Sequence, residues 1–538
     1  MKDFSFVTRV ENIERLKNEE FDLLIIGGGI TGAGVARDAA LRGLKVALIE
    51  AQDFAYGTSS RSSKLVHGGI RYLENLEFHL VFEALNERTR LFEIAPHLVH
   101  PLRFMIPIYS DSRVGMFKMS LGMWLYDGLA LFQTPEMHEK LDKIETLDRI
   151  PIVKGQELVG SFVYSDAYMD DDRLVHETLR SANDHGALAV NYVKAVKAQF
   201  DKQSNKIKSA EVVDQQTNTQ FSICAKQVVC NVGPWTDLVG QKLFPDWKNI
   251  LRPTKGVHLT FAKERVPIDT AVVMAAQDSS RIVFAIPRHE MVIIGTTDTD
   301  YKGNPSDAKV ESDDVTYLLK VANDYFPGAK LTEKDIISSY VGVRPLVKDD
   351  SNNEGKTSRE HTIKEDDRGF IVIAGGKYTT YRLMAEQIVD KAIKNLPFEQ
   401  KAKMKKCETN APLNEFVSVD SYRESLLSAP DDLQKKLAFR YGAEYKNIMD
   451  RFGVTDNLYV IEALQAIHTT MCLHLVDFYT RRVPLFLAEQ DHGFKHIETV
   501  ASTFQDCLGW TDSQKEQEIQ DLKKYIQDQT SWKKIFSI

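Results

Sequence analysis

Residues 21–64, FDLLIIGGGITGAGVARDAALRGLKVALIEAQDFAYGTSSRSSK, constrain the fold of this chain more than any other stretch. An apolar run, Leu23 to Ile26, enters a glycine turn, Gly27-x-Gly29-x-x-Gly32. A small-residue helix is predicted next, then a second strand, Lys45 to Ile49, ending on Glu50. Gly27 makes the tight turn, Gly29 lets backbone approach a pyrophosphate, and Gly32 lets the helix pack close to the sheet. Gly28, Ile30 and Thr31 fill out the turn, where a helix N-terminus offers free N–H groups and a positive dipole end to phosphate. Glu50 stands eighteen residues past Gly32, where an acid accepts hydrogen bonds from an adenosine ribose. A lone GxGxxG is weak evidence. With a strand before it, a helix after it and an acid at the next strand end, it reads as a dinucleotide site.

After such an acid an NAD domain usually continues into another crossover unit. Here the chain runs instead into Gly57-Thr-Ser-Ser-Arg-Ser-Ser-Lys64 and Leu65-Val-His-Gly-Gly-Ile-Arg-Tyr72. An isolated Ser/Thr cluster is a polar surface loop. Close behind a dinucleotide fingerprint, it suits wrapping a buried pyrophosphate and flavin, so FAD is the expected cofactor.

The 538 residues suffice for two or three domains. An apolar fraction of 43% with 27% charged residues is that of a globular protein. A net charge of −8 supplies no overall basic excess and argues against nucleic-acid binding. The cysteines (Cys224, Cys230, Cys407, Cys472, Cys507) form no CxxC pair, which fits a reducing cytoplasm. The first residues mix acids and bases where a signal peptide needs an apolar run, so none is expected. The most apolar stretch, Val114 to Phe132, carries Lys118 and Asp127 and is too interrupted to span a bilayer. Periodicity alone makes it a core or interface helix; the sharper reading lays it in a membrane surface.

Further along, Asp170-Asp-Asp opens a predicted helix that runs to about His185, with the aspartates placed to cap it. A strand (187–193) and a β-meander (196–213 and 221–229) lead to Cys230-Asn-Val-Gly233-Pro-Trp235, which returns apolar chain to the flavin sheet. Residues 251–300 alternate as antiparallel strands, a sheet wall over a ligand site. Phe370 to Arg382 reads as a last buried strand, a glycine turn and a helix to about Lys394. Beyond residue 400 the pattern is helical, and Leu464, Ile467, Met471, Leu475 and Phe478 recur at helical spacing.

The second glycine turn, Gly375-Gly376, can aim N–H groups at the negative edge of a reduced flavin, with Lys377 adding positive charge. Arg344, before Pro345, can grip a carboxylate or phosphate through two parallel hydrogen bonds. With Arg71, Arg359 and Lys377 near glycine-rich loops, it points to an anion pocket. His67 and His258 are the candidate bases, since imidazole titrates near neutral pH. His468, Cys472 and His474 offer three weak ligands on a helix whose core face explains their neighbours, so no zinc site is expected. Gly295-Thr-Thr-Asp-Thr-Asp300 reads as a turn leaving a strand rather than a cation chelator.

The segments IIGGGITGAGVARDAALRGL, EAQDFAYGTSSRSSKLVHGGIRYLE, NVGPWTD, IIGTTDTDYKGNP, GVRPL and GGKYTTYR together resemble the FAD-dependent, respiratory glycerol-3-phosphate dehydrogenase family over essentially the full length. The resemblance implies an α/β fold: a discontinuous glutathione-reductase-like FAD-binding domain (1–80, 155–240 and 340–395), an inserted antiparallel-sheet substrate domain (81–154 and 241–339) and a C-terminal all-α domain (400–538). It assigns Gly27 to Gly32 and Glu50 to the ADP half of FAD. Thr58, Ser59, Ser63, Lys64, Leu65, Gly233, Trp235 and Gly375 to Thr379, with Tyr378, would surround the flavin end. Arg71, Tyr72, Arg344, Arg359 and Lys377 would form the substrate pocket, with His67 or His258 as base. The implied reaction is sn-glycerol 3-phosphate to dihydroxyacetone phosphate, with electrons passing to membrane quinone. It favours the membrane-surface reading of 114–132, a cytoplasmic enzyme on the inner face of the membrane, and a homodimer as an option. The rival is a glycerol-3-phosphate oxidase that uses O₂. Some such oxidases carry a long insertion after the GVRPL-type motif, whereas fourteen residues separate Arg344 from Arg359 here.

Overall fold

In the computed structural model, which describes residues 2–244, 246–276, 281–348, 361–453 and 455–533, two sheets meet at one cleft. The first is built around Glu20–Ile26, flanked in parallel by Val46–Ile49 and Thr219–Cys230, with Leu188–Val190 and Phe370–Ala374 outside them. Where they pair at the centre, Leu23–Ile26, Val46–Ile49, Val228–Cys230, Leu188–Val190 and Phe370–Ala374 are buried on both faces and read as apolar runs. The helix Ile30–Leu41, rich in Ala and Gly, packs between Asp171–Asp184 and Tyr381–Lys394. Its small side chains permit that approach: a Cβ on Gly34 would lie 3.0 Å from the Tyr381 ring. The meander Val193–Phe200, Ile207–Asp214 and Thr219–Cys230 extends one edge.

The second sheet has ten strands, among them Val99–Tyr109, Leu158–Met169, Thr254–Phe261, Ala271–Ala275, Ile282–Pro287, Val292–Gly295 and Ile336–Arg344. It is antiparallel except where Ala271–Ala275 runs parallel to Val99–Tyr109. Three differences from expectation follow. Leu158–Met169, expected within the 155–240 portion of the FAD unit, pairs along Val99–Tyr109 in the second sheet. Leu65–Val66 and the strand ending at Arg344 also belong there, so the chain crosses between sheets beside the cleft. The aspartates at 170–172 do not cap the helix in the expected way. Asp170 binds Arg173 and Arg288, and Asp171 binds Lys64, because buried cations need them more than a helix end does.

Beyond residue 401 the described elements are all helical. The segment with Met471 is two helices, Leu458–Thr469 and Leu475–Arg481, not one; Met471 lies in the break at φ 51°. An apolar core runs from Phe104, Phe162 and Tyr164 of the second sheet into Phe478 and Phe504 of these helices. No helix among the described residues is long and apolar enough to cross a membrane.

Candidate active site

Between the two sheets lies a cleft of about 1600 Å³, beyond the ~300–1,000 Å³ that serves drug-sized ligands. Its floor is the first glycine turn. Gly27 has φ 113°, and a Cβ there would fall 2.6 Å from the Asn231 carbonyl oxygen. At Gly32 it would fall 1.9 Å from the Gly27 carbonyl oxygen, and at Gly29 3.0 Å from Ser59 Oγ. Glycine is thus required for the turn to close and for backbone to stand bare in the cleft. Ser59 Oγ takes the Ile30 N–H (3.0 Å), tying the hydroxyl-rich loop to the helix N-terminus. Glu50 Oε2 accepts from the Gly28 N–H (2.7 Å) and Oε1 from the Gln52 N–H (2.9 Å). Burial raises its carboxyl pKa, and these N–H groups pull against that rise. The acid at the strand end therefore also braces the turn. Bare backbone, a helix N-terminus and an acid at the next strand end fit the ADP half of a dinucleotide.

The far end of the cleft is built by the second sheet. His258, on Thr254–Phe261, is 2% exposed. Its ring stacks on Tyr340 at 4.7 Å, and Nε2 lies 2.9 Å from Ser63 Oγ. Gly295 opposes it in the ladder, where a Cβ would meet the imidazole at 2.3 Å. Burial, then the charges of Arg344 and Lys64, push its pKa well below the usual histidine value, so the ring is neutral at pH 7. His67 is half-buried on the cleft wall, its N–H donating to Thr379 Oγ1 at 3.3 Å.

Arg344 lines the cleft with its guanidinium against Gly256. Nη1 bonds Asp298 Oδ1 (3.1 Å) and Nη2 bonds Thr296 Oγ1 (2.9 Å). Lys377 Nζ stands 3.8 Å from the centroid of Tyr72, and exposed Arg71 completes the basic wall. Gly375 and Gly376 (φ 76° and 90°) turn the chain from the last strand toward Tyr381–Lys394, and the Gly375 N–H is held by the Pro345 carbonyl at 3.0 Å.

Thr58, Ser59, Ser63, Leu65, Gly233, Trp235, Tyr378 and Thr379 also line the cleft. Lys64 does not. At φ 54° its side chain turns away into a fully buried ion pair with Asp171, so it belongs to the wall behind the site. Arg359 lies outside the described residues. No cluster of three metal-ligating side chains occurs among the described residues, and His474 is hydrogen-bonded to Glu518 at 2.7 Å. Sequence reasoning missed Thr254, Thr296 and Asp298, which hold Arg344. The Gly295–Asp300 string was the signal for Thr296 and Asp298, and it was read only as a turn; Thr254, on the strand Thr254–Phe261, had none.

Comparison with known proteins agrees with this geometry. A family described as FAD dependent oxidoreductase matches residues 22–390, and the C-terminal domain of alpha-glycerophosphate oxidase matches 373–515. A relative from Staphylococcus saprophyticus, named aerobic glycerol-3-phosphate dehydrogenase, is 35% identical over 533 residues, covering 95% of each chain. One of the same name from Staphylococcus aureus strain USA300 is 35% identical over 539 residues and 96% of each. The solved glycerol-3-phosphate dehydrogenase of Bacillus halodurans, complexed with FAD, superposes with a TM-score of 0.79 at 29% identity, covering 98% of both chains. A dithionite-reduced L-alpha-glycerophosphate oxidase from Mycoplasma pneumoniae with FAD bound shares the fold: TM-score 0.53, 19% identity, 70% of this chain and 95% of that one.

Proposed function

Because this chain belongs to the FAD dependent oxidoreductase family, and within it to the aerobic glycerol-3-phosphate dehydrogenases, we propose that it oxidises sn-glycerol 3-phosphate to dihydroxyacetone phosphate and passes the electrons to a membrane quinone. One observation carries the reading: a dinucleotide turn, a neutral buried imidazole and three basic side chains face the same cleft. FAD, when bound, supplies a two-electron acceptor for the substrate carbon. Gly27 to Gly32 and Glu50 hold its ADP half. Ser59, Ser63, Leu65, Trp235 and Gly375 to Thr379 enclose its flavin end.

Arg71, Arg344 and Lys377 grip the substrate phosphate through charge-assisted hydrogen bonds. Fixing the phosphate fixes C2, and orientation of this kind supplies roughly 7–11 kcal/mol of a barrier. His258, uncharged, accepts the C2 hydroxyl proton at Nε2, the nitrogen that faces Ser63.

The quinone assignment goes with a membrane-surface position. Phe117, Leu121, Trp124 and Leu125 lie at i, i+4, i+7 and i+8 on the helix Met116–Leu129 and are 40–80% exposed. Tyr126 and Asp127 anchor its opposite face. A bare apolar face backed by polar anchors is the pattern of a helix lying in an interface. The acceptor test is steady-state turnover with a soluble quinone analogue against turnover with dissolved oxygen, with peroxide measured. Faster turnover with quinone is expected. Faster turnover with oxygen, with stoichiometric peroxide, would make the chain a glycerol-3-phosphate oxidase.

A further inference from the structure

We propose that Tyr126 is a positioning residue for the loop 65–72, which presents His67 and Arg71 to the cleft. The inference rests on the substrate reading above. Tyr126 Oη accepts the Gly68 N–H at 3.0 Å and donates to Asp166 Oδ2 at 2.7 Å. Asp166 Oδ1 lies 3.3 Å from the same N–H and is paired with Arg88 Nη1 at 2.7 Å. All three side chains are at most 1% exposed. Burial and the nearby Asp166 keep the phenol protonated, as a donor to a carboxylate must be.

Before Gly68 the loop is held by pairing of Leu65–Val66 with Leu158–Met169 and by the His67 N–H on Thr379 Oγ1 at 3.3 Å; at Gly68 itself the buried side chains take over. Gly68 approaches so closely that a Cβ would lie 2.6 Å from Tyr126 Oη and 2.6 Å from Leu85. Gly69 then adopts φ 77°, and the chain winds through the short turn Ile70–Asn75, which carries Arg71 and Tyr72. The Gly68 N–H is therefore a buried fixed point between the two side chains, His67 and Arg71, that the loop presents. The Tyr126 ring also packs edge-on against Tyr164, which lines the cleft. Neither Tyr126 nor Asp166 lines the cleft, so the hydroxyl acts through the loop and not on the substrate.

The test compares wild-type holoenzyme with Tyr126→Phe, which keeps the ring and removes the hydroxyl. Steady-state rates are measured with sn-glycerol 3-phosphate and a quinone analogue, alongside FAD content and melting temperature. The expected result is full FAD content and a KM raised about three- to tenfold, as the loop loses the neutral bond that fixes its Gly68 amide. A lower melting temperature with KM and kcat at wild-type values would make Tyr126 structural only and overturn the proposal. So would loss of FAD. Hydrogen exchange at the Gly68 amide needs neither substrate nor a folded variant. Strong protection in wild-type protein is expected, and exchange as fast as in an exposed loop would overturn the proposal. If wild-type protein fails to turn over glycerol 3-phosphate while the amide is protected, the functional reading fails and the anchoring stands.

Discussion

At the scale of single residues, the roles proposed for His258 and Arg344 differ, and the two are expected to fail differently. His258→Asn keeps the size and a hydrogen bond to Ser63 but removes the base. It is expected to lower kcat about 10²–10⁴-fold, with FAD content and KM little changed. The pH profile carries a sign. Burial beside Arg344 and Lys64 lowers the folded pKa, so the imidazole stays unprotonated as pH falls through 6.5. The acid limb of kcat/KM should therefore fall below the ordinary histidine value, about 6.5, and a limb at or above it that disappears in the variant would contradict the assignment. Arg344→Ala is expected to raise KM by about 1.5–3 kcal/mol equivalent, the worth of a charged hydrogen bond, while FAD stays bound. Loss of FAD from that variant would remove Arg344 from the substrate end. Glycine roles were legible in the sequence because they follow from local backbone geometry, as at Gly27 and Gly32. The partners of Arg344 and Lys64 were not, since Asp298 and Asp171 reach them only through tertiary structure.

At the scale of elements, the C-terminal helices are tied to the cofactor loop by charge. Asp53 is fully buried and takes Arg481 Nε at 2.8 Å and Arg482 Nη1 at 2.8 Å. Burial alone would raise its carboxyl, but the two guanidinium groups hold it well below the usual carboxylate range. Arg481 also stands over Tyr56, which lines the cleft. Asp53→Asn leaves buried Arg482 without a carboxylate and Arg481 with Asp477 alone, at a cost of about 3–5 kcal/mol. A lower urea midpoint and weaker FAD retention are expected; an unchanged midpoint would mean that the helices dock without this clamp. The helix Met116–Leu129 carries a separate expectation. Phe117→Ser with Trp124→Ser should weaken binding to anionic phospholipid vesicles in a flotation assay and leave turnover with a soluble quinone analogue intact. Equal flotation of variant and wild type would take the outer face out of the membrane surface.

At the scale of the whole molecule, the two-sheet plan was largely legible, and its seams were not. The parallel core announced itself through strand, glycine turn, helix and acid within thirty-odd residues. The hairpins of 251–300 showed as alternation. Leu158–Met169 and Val99–Tyr109 pair across a gap in sequence that no local signal bridges, so the former was expected in the wrong sheet. Likewise, a helical stripe through Met471 concealed a break, because apolar spacing continues across a buried turn. The outcome is a cleft whose floor comes from one sheet and whose wall comes from the other, with the C-terminal helices packed behind the second sheet. The measurement that tests the central claim most directly is to mix purified, FAD-loaded protein with sn-glycerol 3-phosphate without oxygen and follow the yellow flavin absorbance. The expected result is rapid bleaching, recovered on adding a quinone analogue, with dihydroxyacetone phosphate formed in the amount of flavin reduced. Flavin that stays yellow at saturating substrate would contradict the proposed substrate and the roles given to Arg71, Arg344, Lys377 and His258.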